Sequence, residues 1–197
     1  MEYKNFSIKE IITESINVKA ELMSNCIDSI KECGEKLANI YKNGGKILLC
    51  GNGGSAADCQ HIAAELVVRF RSNVNRKSLS AIALTVDPSI MTAGGNDIGF
   101  ENVFARCVEA YGTSADALIG ISTSGNSENV INAINQAKSQ NLFTIGLLGG
   151  NGGKIKDLCN NTVIVPSNVT ARIQESHILI GHIWCEMIET ILFPELT

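Results

Sequence analysis

The 197-residue sequence predicts a three-layer, doubly wound α/β fold on a five-stranded parallel sheet. Short apolar runs, too short for helices, recur along the chain and most end in glycine, serine or asparagine. Stretches with helical spacing lie between them. The runs are continuously apolar rather than alternating, as expected of strands covered by helices on both faces.

Residues 7 to about 42 place Ile11, Ile12, Ile16, Leu22, Ile27, Ile30, Leu37 and Ile40 among charged residues, which predicts one or two amphipathic helices. Asn43-Gly44-Gly45 ends that pattern, and Lys46 to Cys50 reads as a buried strand. Further strands are expected at Leu79 to Val86, Ala117 to Ser122, Leu142 to Leu148 and Thr162 to Val165, with helical stretches between them. A last helix should run from Thr170 to about Leu192, before Pro194, with Ile173, Ile180, Ile183, Trp184, Met187, Ile188 and Ile191 on a broad apolar face. So much apolar surface on the terminal helices points to subunit contact, with core packing within the chain as the alternative.

Composition narrows the function classes. The length suits one domain, 1–197, able to bury a core without staples. A net charge of −4 with scattered Lys and Arg argues against nucleic acid as a direct ligand. No run approaches the ~20 apolar residues that span a bilayer, and MEYKNFSIKE has no signal-peptide core, so no membrane association is expected. Seven cysteines without a CxxC pair read as reduced thiols and a cytoplasmic protein.

In an open parallel sheet, ligands bind beyond the carboxyl ends of the strands. Gly51-Asn52-Gly53-Gly54-Ser55 follows the first strand and opens a helix, where glycines let backbone N–H groups approach an anion. Ser122-Thr123-Ser124-Gly125-Asn126-Ser127 does the same after the third strand and adds hydroxyls. Without a GxxxxGKS lysine, the pair suits a phosphate monoester or sugar, while helix capping by Ser124 or Ser127 is the alternative. Gly149-Gly150-Asn151-Gly152-Gly153 lacks hydroxyls and reads as a structural turn. A dinucleotide fingerprint at Gly51-x-Gly53-x-x-Ala56 fails, because Asp87 lies well beyond the ~20-residue offset of a ribose-binding carboxylate.

His61 and Glu65 are four apart on the helix after the first turn and share a face. Gln174 and His182 lie on the last helix, separated by about 12 Å of rise, so their side chains must lean together to share a ligand. Two His and a carboxylate are ordinary zinc ligands and Gln an uncommon one, while each residue could equally be a surface or core group.

CGNGGSAADCQHIAAELVVRF at 50–70, GGND at 94–97, ISTSGNSENV at 121–130 and TARIQESHILIGH at 170–182 together resemble the sugar isomerase (SIS) domain family, and within it the phosphoheptose isomerases, across essentially the whole chain. The resemblance implies a flavodoxin-like fold, N-terminal helices used in oligomerisation, and a homotetramer with sites at subunit interfaces. It implies conversion of sedoheptulose 7-phosphate to D-glycero-D-manno-heptose 7-phosphate, for bacterial surface-heptose synthesis, through an enediol. Carried onto matching positions, Glu65 and His182 are catalytic, and one zinc per subunit is held by His61, Glu65, Gln174 and His182. Asn52, Gly53, Gly54, Ser55, Glu65, Asn96, Asp97, Ser122, Thr123, Ser124, Ser127 and Gln174 contact the sugar phosphate, with Arg69 a further candidate. Asn168-Val169 stands where family members often carry an acidic residue. A relative of the same fold that binds DnaA and lacks the acid/base residues is the rival reading, against which Glu65 and His182 speak.

Overall fold

Strand β1 (Ile47–Gly51) is buried along its whole length, and its alternate side chains feed different cores. Ile47 and Leu49 join one apolar cluster and Leu48 and Cys50 the other, which explains why the run is continuously apolar. The computed structural model describes residues 7–196, so the first six residues of MEYKNFSIKE lie outside it.

Five parallel strands, completed by β2 (Ala81–Ala83), β3 (Ala117–Ser122), β4 (Phe143–Gly149) and β5 (Asn161–Val165), run in the order β2-β1-β3-β4-β5. One face carries α1 (Ile8–Asn25), α2 (Ile27–Lys42), α3 (Gly54–Val67) and α7 (Thr170–Leu192); the other carries α4 (Pro88–Asp97), α5 (Val103–Tyr111) and α6 (Glu128–Ser139). The expected doubly wound fold is therefore present, with its topological switch between β1 and β3.

Two expectations need correction. The strand expected over Leu79 to Val86 shrinks to Ala81–Ala83, because β2 is an edge that pairs only with β1. Leu79 instead donates its N–H to Leu66 of α3 and packs there, while Val86 is exposed. No α-helix joins β4 to β5; the glycine turn and a single 3-10 turn at Ile155–Asp157 do so. The N-terminal segment, expected as one or two helices, is two, broken at Cys26, where φ is −122° and ψ 0°.

Helix α7 positions the site. Its Trp184 is buried and donates its indole N–H to the Ile30 carbonyl of α2 at 2.9 Å. On its other flank α7 lies along α3 in parallel register. Gln174 meets Gly54, Gly181 meets Ile62, His182 meets His61, and Glu189 meets Phe70, a nearly constant offset of about 120 residues. Gly181 permits the close approach, since a methyl there would collide with Ile62.

Candidate active site

The two polar turns emerge side by side at the switch point, from β1 and β3. Gly53 is the N-cap of α3 with φ +55°, a left-handed conformation that disfavours other residues. No side chain caps α3, and among the described residues the N–H groups of Gly53 and Gly54 have no acceptor. Ser127 precedes α6, likewise without a side-chain cap, and the N–H groups of Ser127, Glu128 and Asn129 are unbonded among the described residues. Two helix N-termini thus aim unsatisfied donors at one crevice, which suits an anion such as a phosphate monoester.

The serines do not cap. Ser122 and Ser127 share a hydroxyl–hydroxyl hydrogen bond of 3.0 Å, and the Ser122 hydroxyl also accepts from the Gly125 N–H at 3.1 Å. The Ser124 hydroxyl accepts from the Asn126 N–H. Gly125, at φ +65°, packs backbone to backbone on Gly152 and Gly153, and Ile155 donates to its carbonyl at 3.0 Å. The third glycine cluster is a structural turn as expected, and it braces the second. It does more, because Gly149, Gly150 and Asn151, with Thr123, Ser124, Asn168, Thr170 and Ile173, line a cleft of about 350 Å³.

Along α3 and α7 the residues expected to act as acid and base meet. The Nε2 atoms of His61 and His182 lie 2.8 Å apart, and His61 Nε2 is 3.5 Å from Glu65 Oε1. Nitrogens in such contact require one ring to donate its Nε2 proton to the other. The Phe70 ring lies against His182, with centroids 5.3 Å apart. Glu65 is partly buried, whereas His61 is about half exposed.

Gln174 is one turn into α7 and its amide abuts Gly54, so a side chain at Gly54 would collide with it. Gln174 and His182 therefore do not lean together; each meets α3 at its own level, about 12 Å apart in rise. Asn96 and Asp97 close α4, exposed and bonded to each other at 2.7 Å, with no hydrogen bond to either turn among the described residues. Arg69 is exposed just past α3.

The donor set fits zinc in kind. Ligands on a tetrahedral ion with ~2.1 Å bonds stand ~3.4 Å apart, close to the 3.5 Å between His61 and Glu65. The imidazole pair is closer than that, and among the described residues no three His, Cys, Asp or Glu side chains form a ready metal cluster.

Sequence reasoning missed the buried clamp behind this pair. Glu189 on α7, wholly buried, accepts from the Phe70 and Arg71 N–H groups and from the guanidinium Nε of Arg71 and Arg76. Burial alone would raise its pKa, and these donors outweigh it and hold the carboxyl below the usual range. Arg76 donates three further N–H groups to the carbonyls of Glu65, Leu66 and Lys77, finishing the C-terminus of α3. Also missed is Asp58 on α3, pushed up to about 6 by burial against the opposing pull of His61, with one oxygen lacking a partner.

Residues 12–149 match the family model of the SIS domain. Over 194 residues the chain is 52% identical to the phosphoheptose isomerase of Clostridium acetobutylicum, covering 98% of this chain and 97% of that one. The solved structure of phosphoheptose isomerase GmhA from Neisseria gonorrhoeae matches with a TM-score of 0.88 and 43% identity, over 93% of this chain and 97% of that chain. A phosphoheptose isomerase from Francisella tularensis matches at 0.89 and 38% identity, over 93% of this chain and 96% of the other. A shared fold, near-complete coverage and high identity leave one placement: the chain belongs to the SIS domain family, among the phosphoheptose isomerases.

Proposed function

We propose that this protein is an aldose–ketose isomerase that converts sedoheptulose 7-phosphate to D-glycero-D-manno-heptose 7-phosphate, a precursor step in bacterial surface-heptose synthesis. The observation that carries the reading is the meeting of His61, Glu65 and His182 along α3, above the uncapped helix N-termini of the two turns. The turns hold the phosphate by backbone N–H groups and serine hydroxyls, and the sugar extends along α3 toward Glu65.

Isomerisation moves a carbonyl from C2 to C1. A base removes a proton from C1 of the ketose, the resulting enediol is reprotonated at C2, and a hydroxyl proton passes from O1 to O2. Glu65 and His182 share these transfers, the kind of work that a positioned carboxylate and imidazole do without a redox cofactor. Phe70 walls one side of His182 and limits its ring movement. Gln174, beside Gly54, orients the sugar at the phosphate end. Zinc, one per subunit, would be held by His61, Glu65 and His182, and Gln174 would complete the set only by moving from Gly54. When bound, the ion supplies Lewis acidity at the sugar oxygens.

The protein works as a homotetramer in the cytoplasm. Support for assembly comes from Ile8, Ile12, Ile16, Met23 and Ile27, each more than half exposed on α1 and at the start of α2. An apolar groove on α7 between Ile183, Met187 and Ile191 adds to it. No helix among the described residues is long and apolar enough to cross a membrane.

Incubating the purified protein with sedoheptulose 7-phosphate in deuterated water, with chelator or added zinc, tests the reading by NMR. Aldose formation with solvent exchange at C1 is expected. No aldose under any condition would overturn it.

A further inference from the structure

Asn52 was expected to face the substrate, but its side chain is otherwise engaged. Its Nδ2 donates to Asn129 Oδ1 at 2.9 Å, and Asn129 Nδ2 donates back to Asn52 Oδ1 at 2.8 Å. Asn129 is 4% exposed and sits in the first turn of α6, just after Ser127. Asn52 belongs to the turn that opens α3. Among the described residues, and apart from the β1–β3 strand ladder, the two bonds of this reciprocal amide pair are the only hydrogen bonds between the Gly51–Ser55 turn and the segment from Ser122 to Asn129.

The topology gives the pair its importance. Helices α3 and α6 leave adjacent strands and pack on opposite faces of the sheet, so their N-termini diverge as they leave the switch point. Both carry free N–H groups suited to one anion, and an anion gains from both only when they are held at one separation. The second turn is braced from behind by Gly152 and Gly153. Beyond the strand ladder, nothing among the described residues braces the first turn against it except the amide pair.

We propose that Asn129 is a positioning residue for phosphate binding: paired with Asn52, it latches the two turns at the spacing that lets both helix N-termini engage one phosphate. The inference rests on the isomerase reading only for the identity of the sugar. An amide pair has two complementary bonds and a planar geometry, so it sets distance and orientation together. Removing one partner leaves the other unpaired in a largely buried place, which frees the turns to separate.

Three variants, Asn129→Ala, Asn52→Ala and the double variant, test the latch. The readouts are KM and kcat with sedoheptulose 7-phosphate and the Kd for inorganic phosphate, measured by calorimetry. Each single variant is expected to raise KM and Kd together about tenfold, with kcat within about threefold, and the double variant should be no worse than either single one. A merely structural role would lower the melting temperature without moving the phosphate Kd. KM and Kd within twofold of the parent in Asn129→Ala, or losses that multiply in the double variant, would overturn the proposal. If Asn129→Ala does not fold, Asn52→Ala, on a turn, carries the same test, and values within twofold again refute the latch. A parent that binds phosphate but turns over no sugar refutes the isomerase reading and leaves the latch standing; an active parent with an unaffected Asn129→Ala refutes the latch alone.

Discussion

At its N-terminal end α3 offers the proposed ligand only backbone: glycines, an uncapped first turn, and N–H groups that any sequence of similar shape could present. Two to three turns further on, the same helix offers side chains, His61 and Glu65, which work only with His182 opposite. The first end is secured by a turn conformation and one amide pair across 77 residues. The second depends on α7 and on the Glu189–Arg76 clamp, which joins residues 113 apart. Binding and chemistry in this protein therefore have separate supports, and a substitution can remove one while sparing the other.

The separation is sharpest at Glu65. Glu65→Gln should lower kcat by about 10²–10⁴, the usual contribution of a positioned acid or base, while the Kd for inorganic phosphate stays within threefold. A loss under tenfold in steady-state turnover would remove Glu65 from its role. The clamp comes next. Glu189→Ala leaves Arg76 buried without its counter-charge, and about 3–5 kcal/mol of stability should be lost in denaturant titrations, as when other buried pairs are broken. If the clamp positions Glu65 and Phe70, the folded fraction of this variant will also show a lowered kcat with an unchanged KM.

A third support is His177, buried on α7, whose Nε2 donates to the Leu148 carbonyl of β4 at 3.0 Å, just before the third glycine cluster. Burial lowers its pKa from 6.5 to about 4, against the smaller raising effect of that carbonyl. Between those values the unfolded chain binds a proton that the folded chain does not, so stability falls as pH falls through that window. The full loss is about 3 kcal/mol at 1.36 kcal/mol per unit, and thermal melts of His177→Gln from pH 7 to 4 should show a flatter decline. The smallest effect is expected at the binding end. Gly54→Ala places a methyl against the Gln174 amide, the far end of a flexible side chain that can swing aside, so thermal melts should barely move while KM rises a few-fold as Gln174 is displaced from the sugar.

How much of this was legible depended on distance along the chain. Strands β1, β3 and β4 were visible because a strand buried on both faces must be apolar without a break. The edge strand β2 was overextended, since Leu79 and Leu84 are buried for reasons other than strand pairing along the whole run. The turns were readable from glycine and serine alone. His61 and Glu65 shared a face by simple helical spacing, and the pairing with His182 came through resemblance. Arg76, Asn129 and Glu189 had no local signal: a polar residue inside a helix or loop reads as solvated until the fold supplies its partner. The capping alternative for Ser124 and Ser127 was equally open in sequence and closed only by where their hydroxyls point.

The parallel register of α3 and α7 also orders events during synthesis. Both ligand turns and every strand they follow are complete by Ser127, whereas His182 and Glu189 come from the last helix. Contacts across about 120 residues are slow to close and await emergence of α7 from the ribosome. A nascent chain can shape its two glycine-rich turns early, but it brings His182 to His61 and Glu65, and closes the buried clamp behind them, only after α7 has been made.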